Sequence, residues 1–103
     1  MATPAGYTGR RRLWKAVSNH NLTATDTAAA TSVAFAAGVQ CARIAPKIDI
    51  WYAIGAAPTA ATTTQFLAAG AVEYVPVSEG DKISVLRVGD TSGAVSIQGC
   101  VLA

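Results

Sequence analysis

The chain reads as an all-β domain, a compact antiparallel β-sandwich of jelly-roll-like type with about six to eight short strands, preceded by an extended N-terminal arm. Three observations lead there. Apolar and polar residues alternate in short runs spaced about 8 to 12 residues apart. Clusters of Gly, Pro, Asp and Ser separate these runs and supply turn chemistry. The one Ala-rich stretch lacks the charged face of a surface helix. A length of 103 residues suits a single core and not two. The expected organisation is a basic arm over residues 1–22 and a β domain over 23–103.

The elements follow in order. In "TATDTAAATSVAFAAGVQC", from Thr23, the Ala content favours helix, but the Thr residues and Gly38 oppose it. Short strands are expected over Ser32 to Ala36 and Gln40 to Ala45. "IDIWYAIG" alternates most clearly, with Ile48, Ile50, Tyr52 and Ile54 on one face and Asp49, Trp51 and Ala53 on the other. "GAAPTAATTTQ", Gly55 to Gln65, is polar and stiffened by Pro58, and reads as a surface loop. "AVEYVPV" is a strand whose Pro76 forfeits a ladder hydrogen bond, which places it at an edge or a strand end. "SEGDK" is a turn in which Gly80 needs positive φ, and "VGDTSGA" is expected to use Gly89 and Gly93 the same way. "DKISVLRV" and "GAVSIQGCVL" complete the set, the latter with Val95, Ile97, Gly99 and Val101 on one face.

Charge divides the chain. Arg10, Arg11, Arg12 and Lys15 are half of its eight cations, and no acid accompanies them in residues 1–20. The remainder sets Arg43, Lys47, Lys82 and Arg87 against Asp26, Asp49, Glu73, Glu79, Asp81 and Asp90, a balance of −2. Charged residues are only 14% of the chain and hydrophobic ones 51%, so much of the surface is expected to be covered by other protein. No apolar run approaches the roughly 20 residues that span a bilayer, which argues against membrane insertion. Between the arginines and Lys15 stand only Leu13 and Trp14, not the apolar stretch of a secretory signal, and cytoplasmic synthesis is expected.

Cys41 and Cys100 with Trp51 between them resemble an immunoglobulin arrangement. That pattern wants a Tyr where Gln98 stands and a further strand where only Val101 to Ala103 follow. Two buried free thiols acting as small hydrophobes are the reading taken, with a disulfide as the alternative.

Catalytic chemistry finds little footing. His20, the only histidine, sits in the arm without a rigid support beside a nucleophile, and a solvated or interface role is expected. One His and two distant Cys make no metal cluster. "GDTSG", Gly89 to Gly93, is read as a hairpin turn. Glu79 and Asp81 flank Gly80 and splay into solvent, which suits turn formation better than a paired-carboxylate mechanism. No glycine-rich loop leads into a Lys and a helix. No catalytic, cofactor-binding or metal-binding residue is nominated, and no small-molecule substrate is implied. "RRRLWK" combines cations with an aromatic as single-strand binders do, yet the acidic remainder offers no groove to extend such a contact, which argues against nucleic acid as the main partner.

The stretch "IDIWYAIGAAPTAATTTQFLAAGAVEYVPVSEGDKISVLRVGDTSGAVSIQ" resembles small virion-associated proteins of tailed bacteriophages. In these a strand ending "IGAxPTA" leads through a Thr-rich loop to "FLPAGxVEYxxVxPGDKISVL" and a last strand. The matching residues are Ile54, Gly55, Pro58, Thr59, Phe66, Leu67, Ala69, Gly70, Val72, Glu73, Tyr74, Gly80, Asp81, Lys82, Ile83 and Ser84. Ala68 and Glu79 depart from it, standing where Pro is usual. The resemblance covers roughly residues 40–98 and rests on turns and strand faces. It implies a virion structural protein, one that decorates or cements the outer capsid, trimeric and bound to the major capsid protein. The arm lies outside the shared stretch. Physically, Arg10, Arg11, Arg12 and Lys15 would be steered to an acidic shell and pair with its carboxylates, while Leu13 and Trp14 supply an apolar anchor. The alternatives are a tail or neck protein, acting as adaptor or fibre-tip adhesin, and a nucleic-acid-binding accessory protein using the arm.

Overall fold

The computed structural model describes residues 14–31 and 34–102, and every regular element among them is a strand. In chain order these are β1 (Trp14–Asn19), β2 (Leu22–Ala24), β3 (Ala29–Ala30), β4 (Cys41–Pro46), β5 (Ile50–Gly55), β6 (Gln65–Leu67), β7 (Glu73–Pro76), β8 (Lys82–Arg87) and β9 (Gly93–Leu102). One sheet has the order β1-β9-β4-β7, with β2 also pairing β9, and the other β3-β8-β5-β6. All pairs are antiparallel.

The topology is a ribbon of nested partners. β1 and β2 pair the last strand, β3 pairs β8, β4 pairs β7 and β5 pairs β6. From β2 onward the chain changes sheet at every connection except β5 to β6. That wrapping is the jelly roll, two Greek keys whose sheets face each other across one core. The expectation of a sandwich of jelly-roll type is met.

Strand alternation builds the core. Ala42 and Ile44 of β4 and Val95 and Ile97 of β9 point inward from one sheet, and Ile50 and Tyr52 of β5 with Ile83 and Val85 of β8 from the other. Phe35, Val39, Leu67 and Val77 close the ends. Ile44, Ile50, Ile83 and Ile97 are wholly buried, each contributing roughly 1.5–3 kcal/mol of apolar transfer. Two buried hydroxyls serve backbone donors, Thr31 at the core and Ser84 on the opposite face of β8 from Ile83 and Val85. Thr31 Oγ1 accepts from Ile83 N at 3.2 Å, and Ser84 Oγ accepts from Ala60 N at 2.9 Å. The loop from Gly55 to Gln65 is thereby tucked in at Ala60 and is not purely surface.

Several expectations are corrected. Trp14–Asn19 and the first residue of β2, Leu22, assigned to the arm over 1–22, belong to the sheet. β1 and β2 lie end to end along β9, from Trp14 opposite Leu102 to Ala24 opposite Gly93. β9 is 10 residues long and has β4 on one side only, so its other row of backbone groups needs this partner. At the break between β1 and β2, His20 N donates to Ile97 O at 2.8 Å and Asn21 Oδ1 accepts from Ile97 N at 3.0 Å.

The strand expected over Ser32 to Ala36 is absent for residues 34–36, while Ser32 and Val33 lie outside the described residues. Phe35 instead docks on the turn before β8, its N–H donating to Asp81 O and its carbonyl accepting from Gly80 N. Gly80 has φ 91, as expected, and Gly70 and Gly38 are the other positive-φ glycines. Gly89 and Gly93 are not among them. Gly93 is glycine for want of space, because a Cβ there would lie 2.6 Å from Ile48 Cγ2. Pro76 ends β7 at the sheet margin, where its missing N–H costs nothing.

Candidate binding face and adjoining groove

Of the residues expected to grasp a partner, Arg10, Arg11, Arg12 and Leu13 lie outside the described residues. Trp14 and Lys15 open β1, the outermost strand of its sheet. Both are exposed, and so is most of the strand. Alternation puts Trp14 and Ala16 on the outer face, and Lys15 on the other side of the strand.

The register defines that outer face row by row. Ala16 pairs Cys100, Cys100 pairs Cys41, and Cys41 pairs Pro76. Asn19, Gln98, Arg43 and Tyr74 form the next row. Trp14 stands one row to the other side, opposite Leu102. Trp14 and Tyr74 occupy opposite margins of the sheet, yet their rings stack with centroids 6.4 Å apart and planes at 18°. A line from one to the other crosses the seam of β9 and β4 at the Cys100–Cys41 pair. The rings therefore bridge the thiols, which are 2% and 3% exposed although they face outward. Trp14 at 38% and Tyr74 at 46% keep their outer surfaces open. The cysteines are free and buried, as read from the sequence. Burial pushes the Cys41 thiol up to about 11, and the neighbouring Cys100 adds to the rise.

Behind β1 lies a groove. Ser18 Oγ and His20 Nε2 are 2.9 Å apart, and the His20 ring meets Phe35 edge-on with centroids 4.6 Å apart. The histidine expected in a solvated or interface role is half-buried and held within the chain's own fold. Gly99 makes the packing possible, since a Cβ on it would meet Ser18 Oγ at 2.5 Å and Phe35 and Val39 at 3.2 Å. Two concavities of ≈ 480 Å³ and ≈ 460 Å³ share Ser18 and His20. The first is lined by Asn19, Asn21 and Thr31, the second by Val17, Ala36 and Val39. A hydroxyl beside an imidazole is the start of a nucleophile–base pair, but among the described residues no carboxylate hydrogen-bonds His20 to orient it. The pair ties β1 to the core through Phe35.

No protein-family model, no curated protein and no solved structure matches this chain. What the fold itself adds is the structural part played by the residues behind the phage resemblance. Glu73 Oε1 accepts from Tyr52 Oη at 2.7 Å, tying the margin of one sheet to the core of the other. Asp81 Oδ2 accepts from Ser78 N at 2.9 Å and closes the turn around Gly80. Asp49 Oδ1 accepts from Ala69 N at 2.8 Å, and Gly70 N donates to Pro46 O. Among the described residues no group of three or more His, Cys, Asp or Glu is placed to hold a metal ion.

Sequence reasoning named Trp14 and missed Tyr74, Ser18 and the role of Gly99. Alternation in "EYVP" does put Tyr74 outward. Nothing local indicates that Trp14 reaches it.

Proposed function

We propose that this protein is a non-enzymatic structural component of a tailed-phage virion, a decoration or cement protein on the outer capsid surface. The observation that carries this reading is continuity. The basic run Arg10 to Arg12 leads directly into β1 at the open margin of a jelly roll, where Trp14 and Tyr74 present an exposed aromatic surface. A cationic arm entering an aromatic patch suits docking on an acidic protein shell, with electrostatics setting the encounter and the aromatics holding the complex. The partner is the major capsid protein, and a homotrimer would let several arms bind as one multivalent ligand. The resemblance over residues 40–98 supplies the virion setting; the fold is compatible with it and common to many functions.

The test is the copy number of this chain per purified virion, measured by quantitative mass spectrometry against the major capsid protein. A ratio of the same order as the capsid protein supports decoration. A few to a dozen copies move the protein to the tail or neck, and absence from particles overturns the virion reading. Replacing Arg10, Arg11 and Arg12 by Ala should weaken particle binding strongly, and added salt should do the same.

A second reading rests on the same face. Near-parallel exposed aromatics with Arg43 directly opposite Tyr74 resemble a platform for stacked bases. Tight binding of single-stranded DNA at physiological salt would favour this accessory role.

A further inference from the structure

We infer that Cys41 and Cys100 form a redox site, a pair of thiols set by register to close into an intramolecular disulfide that staples β4 to β9 beneath the Trp14–Tyr74 stack. The two residues are direct antiparallel partners on the same face of the sheet. Directly opposed residues have Cα atoms about 4.5 or 5.5 Å apart depending on the ladder position, and both values lie within the range that disulfides span, about 4.4–6.8 Å. The backbone of β4 and β9 therefore needs no rearrangement to close the bond. Cα proximity in an edge loop would mean less; here the strands pair over six successive positions, from Cys41 opposite Cys100 to Pro46 opposite Val95.

The oxidant is a small disulfide of the glutathione class. One cysteine loses its proton, and its thiolate attacks a sulfur of the oxidant, breaking that S–S bond and expelling one glutathione thiolate. The second cysteine then loses its proton and attacks the protein sulfur of the mixed disulfide, expelling the second glutathione. Two protein thiols are oxidised, one glutathione disulfide is reduced to two thiols, and the two protons go to solvent or to the departing thiolates.

The stack governs the rate. Both thiols are nearly inaccessible, so the oxidant reaches them only when Trp14 lifts, and Trp14 begins a marginal strand where local opening is cheap. Thiolate is also scarce at neutral pH, since the Cys41 thiol lies near 11. Closure should therefore quicken by up to about tenfold per pH unit between pH 7 and 9. The pair would stay reduced in a reducing cytoplasm and close in oxidising surroundings; only that timing depends on the virion reading.

The experiment uses the full reduced chain, folded, with excess glutathione disulfide at mildly alkaline pH. The expected result is an intact mass lower by two hydrogens, one Cys41–Cys100 cross-linked peptide after digestion, and a melting temperature raised by roughly 10 °C. Stable glutathione adducts, disulfide-linked dimers, or thiols that stay free in the folded chain while the urea-unfolded chain oxidises would each overturn the site. A disulfide that leaves the melting temperature unchanged or lowered would overturn the staple. The Trp14→Ala variant should close about tenfold faster, and an unchanged rate would overturn the role given to the stack.

Discussion

Trp51 and Phe66 face each other directly across β5 and β6, with ring centroids 5.4 Å apart and planes at 67°, whereas Trp14 and Tyr74 reach toward each other from opposite margins of the other sheet. The first pair is a cross-strand neighbour contact that follows from one hairpin register. The second depends on β1, β9, β4 and β7 all being in place, and it shelters two thiols that strand alternation alone would leave facing solvent. An aromatic pair on a sheet can thus be a local ornament of its hairpin or a tie across the whole sheet, and register distinguishes the two.

The largest expected effect breaks the long-range pair without touching either ring. Gly99→Val would drive its side chain into Ser18, Phe35 and Val39, lifting β1 and taking Trp14 from Tyr74. A loss of about 3 kcal/mol is expected in denaturant unfolding, with loss of the Trp14 near-UV signal while that of Trp51 persists.

Alkaline pH probes what lies beneath the stack. Folding favours the protonated Cys41, so the unfolded chain loses its proton first, near 9.0, and the folded chain only near 11. The stabilisation is complete below pH 9 and disappears as pH rises to about 11, roughly 2–3 kcal/mol in all. Tyr52 is also pushed up, by burial first and then by Glu73, so a Cys41→Ala chain should lose stability only above about pH 10. Melting curves of both chains from pH 7 to 11 check this.

Truncating the pairs themselves sharpens the contrast. Trp14→Ala should cost about 1–2 kcal/mol and expose both cysteines to thiol reagents, while Phe66→Ala should cost about 1 kcal/mol and leave their labelling rate unchanged. An effect of the same small size as that of Phe66→Ala is expected for Tyr52→Phe, about 1 kcal/mol by thermal melting, from the lost hydrogen bond to a half-buried Glu73 that water can still solvate.

Much of the fold was legible because strand periodicity is local. Ile50 and Tyr52 point inward and Trp51 outward, as alternation requires, and Pro76 ends an edge strand. Gly80 was legible from its turn. Gly93 and Gly99 were not, because their reason is the approach of Ile48 and Ser18 from distant parts of the chain. The candidate face was half legible: Trp14 stood out beside the arginines, but its membership of a strand was hidden by the charge around it. Phe35 was misread as strand because its burial comes from a loop docked on Asp81 and Gly80.

By itself the sequence determined the all-β class, most strand faces, the closing turn at Gly80 and the charge asymmetry between the arm and the rest, since each depends on residues within a few positions of one another. Only the tertiary structure decided that β1 and β2 line β9, that Cys41 faces Cys100, that His20 is held by Ser18 and Phe35, and that Trp14 closes over the thiols toward Tyr74. These contacts join the beginning of the chain to its end, and their geometry is set by strand order and register, which no local pattern encodes.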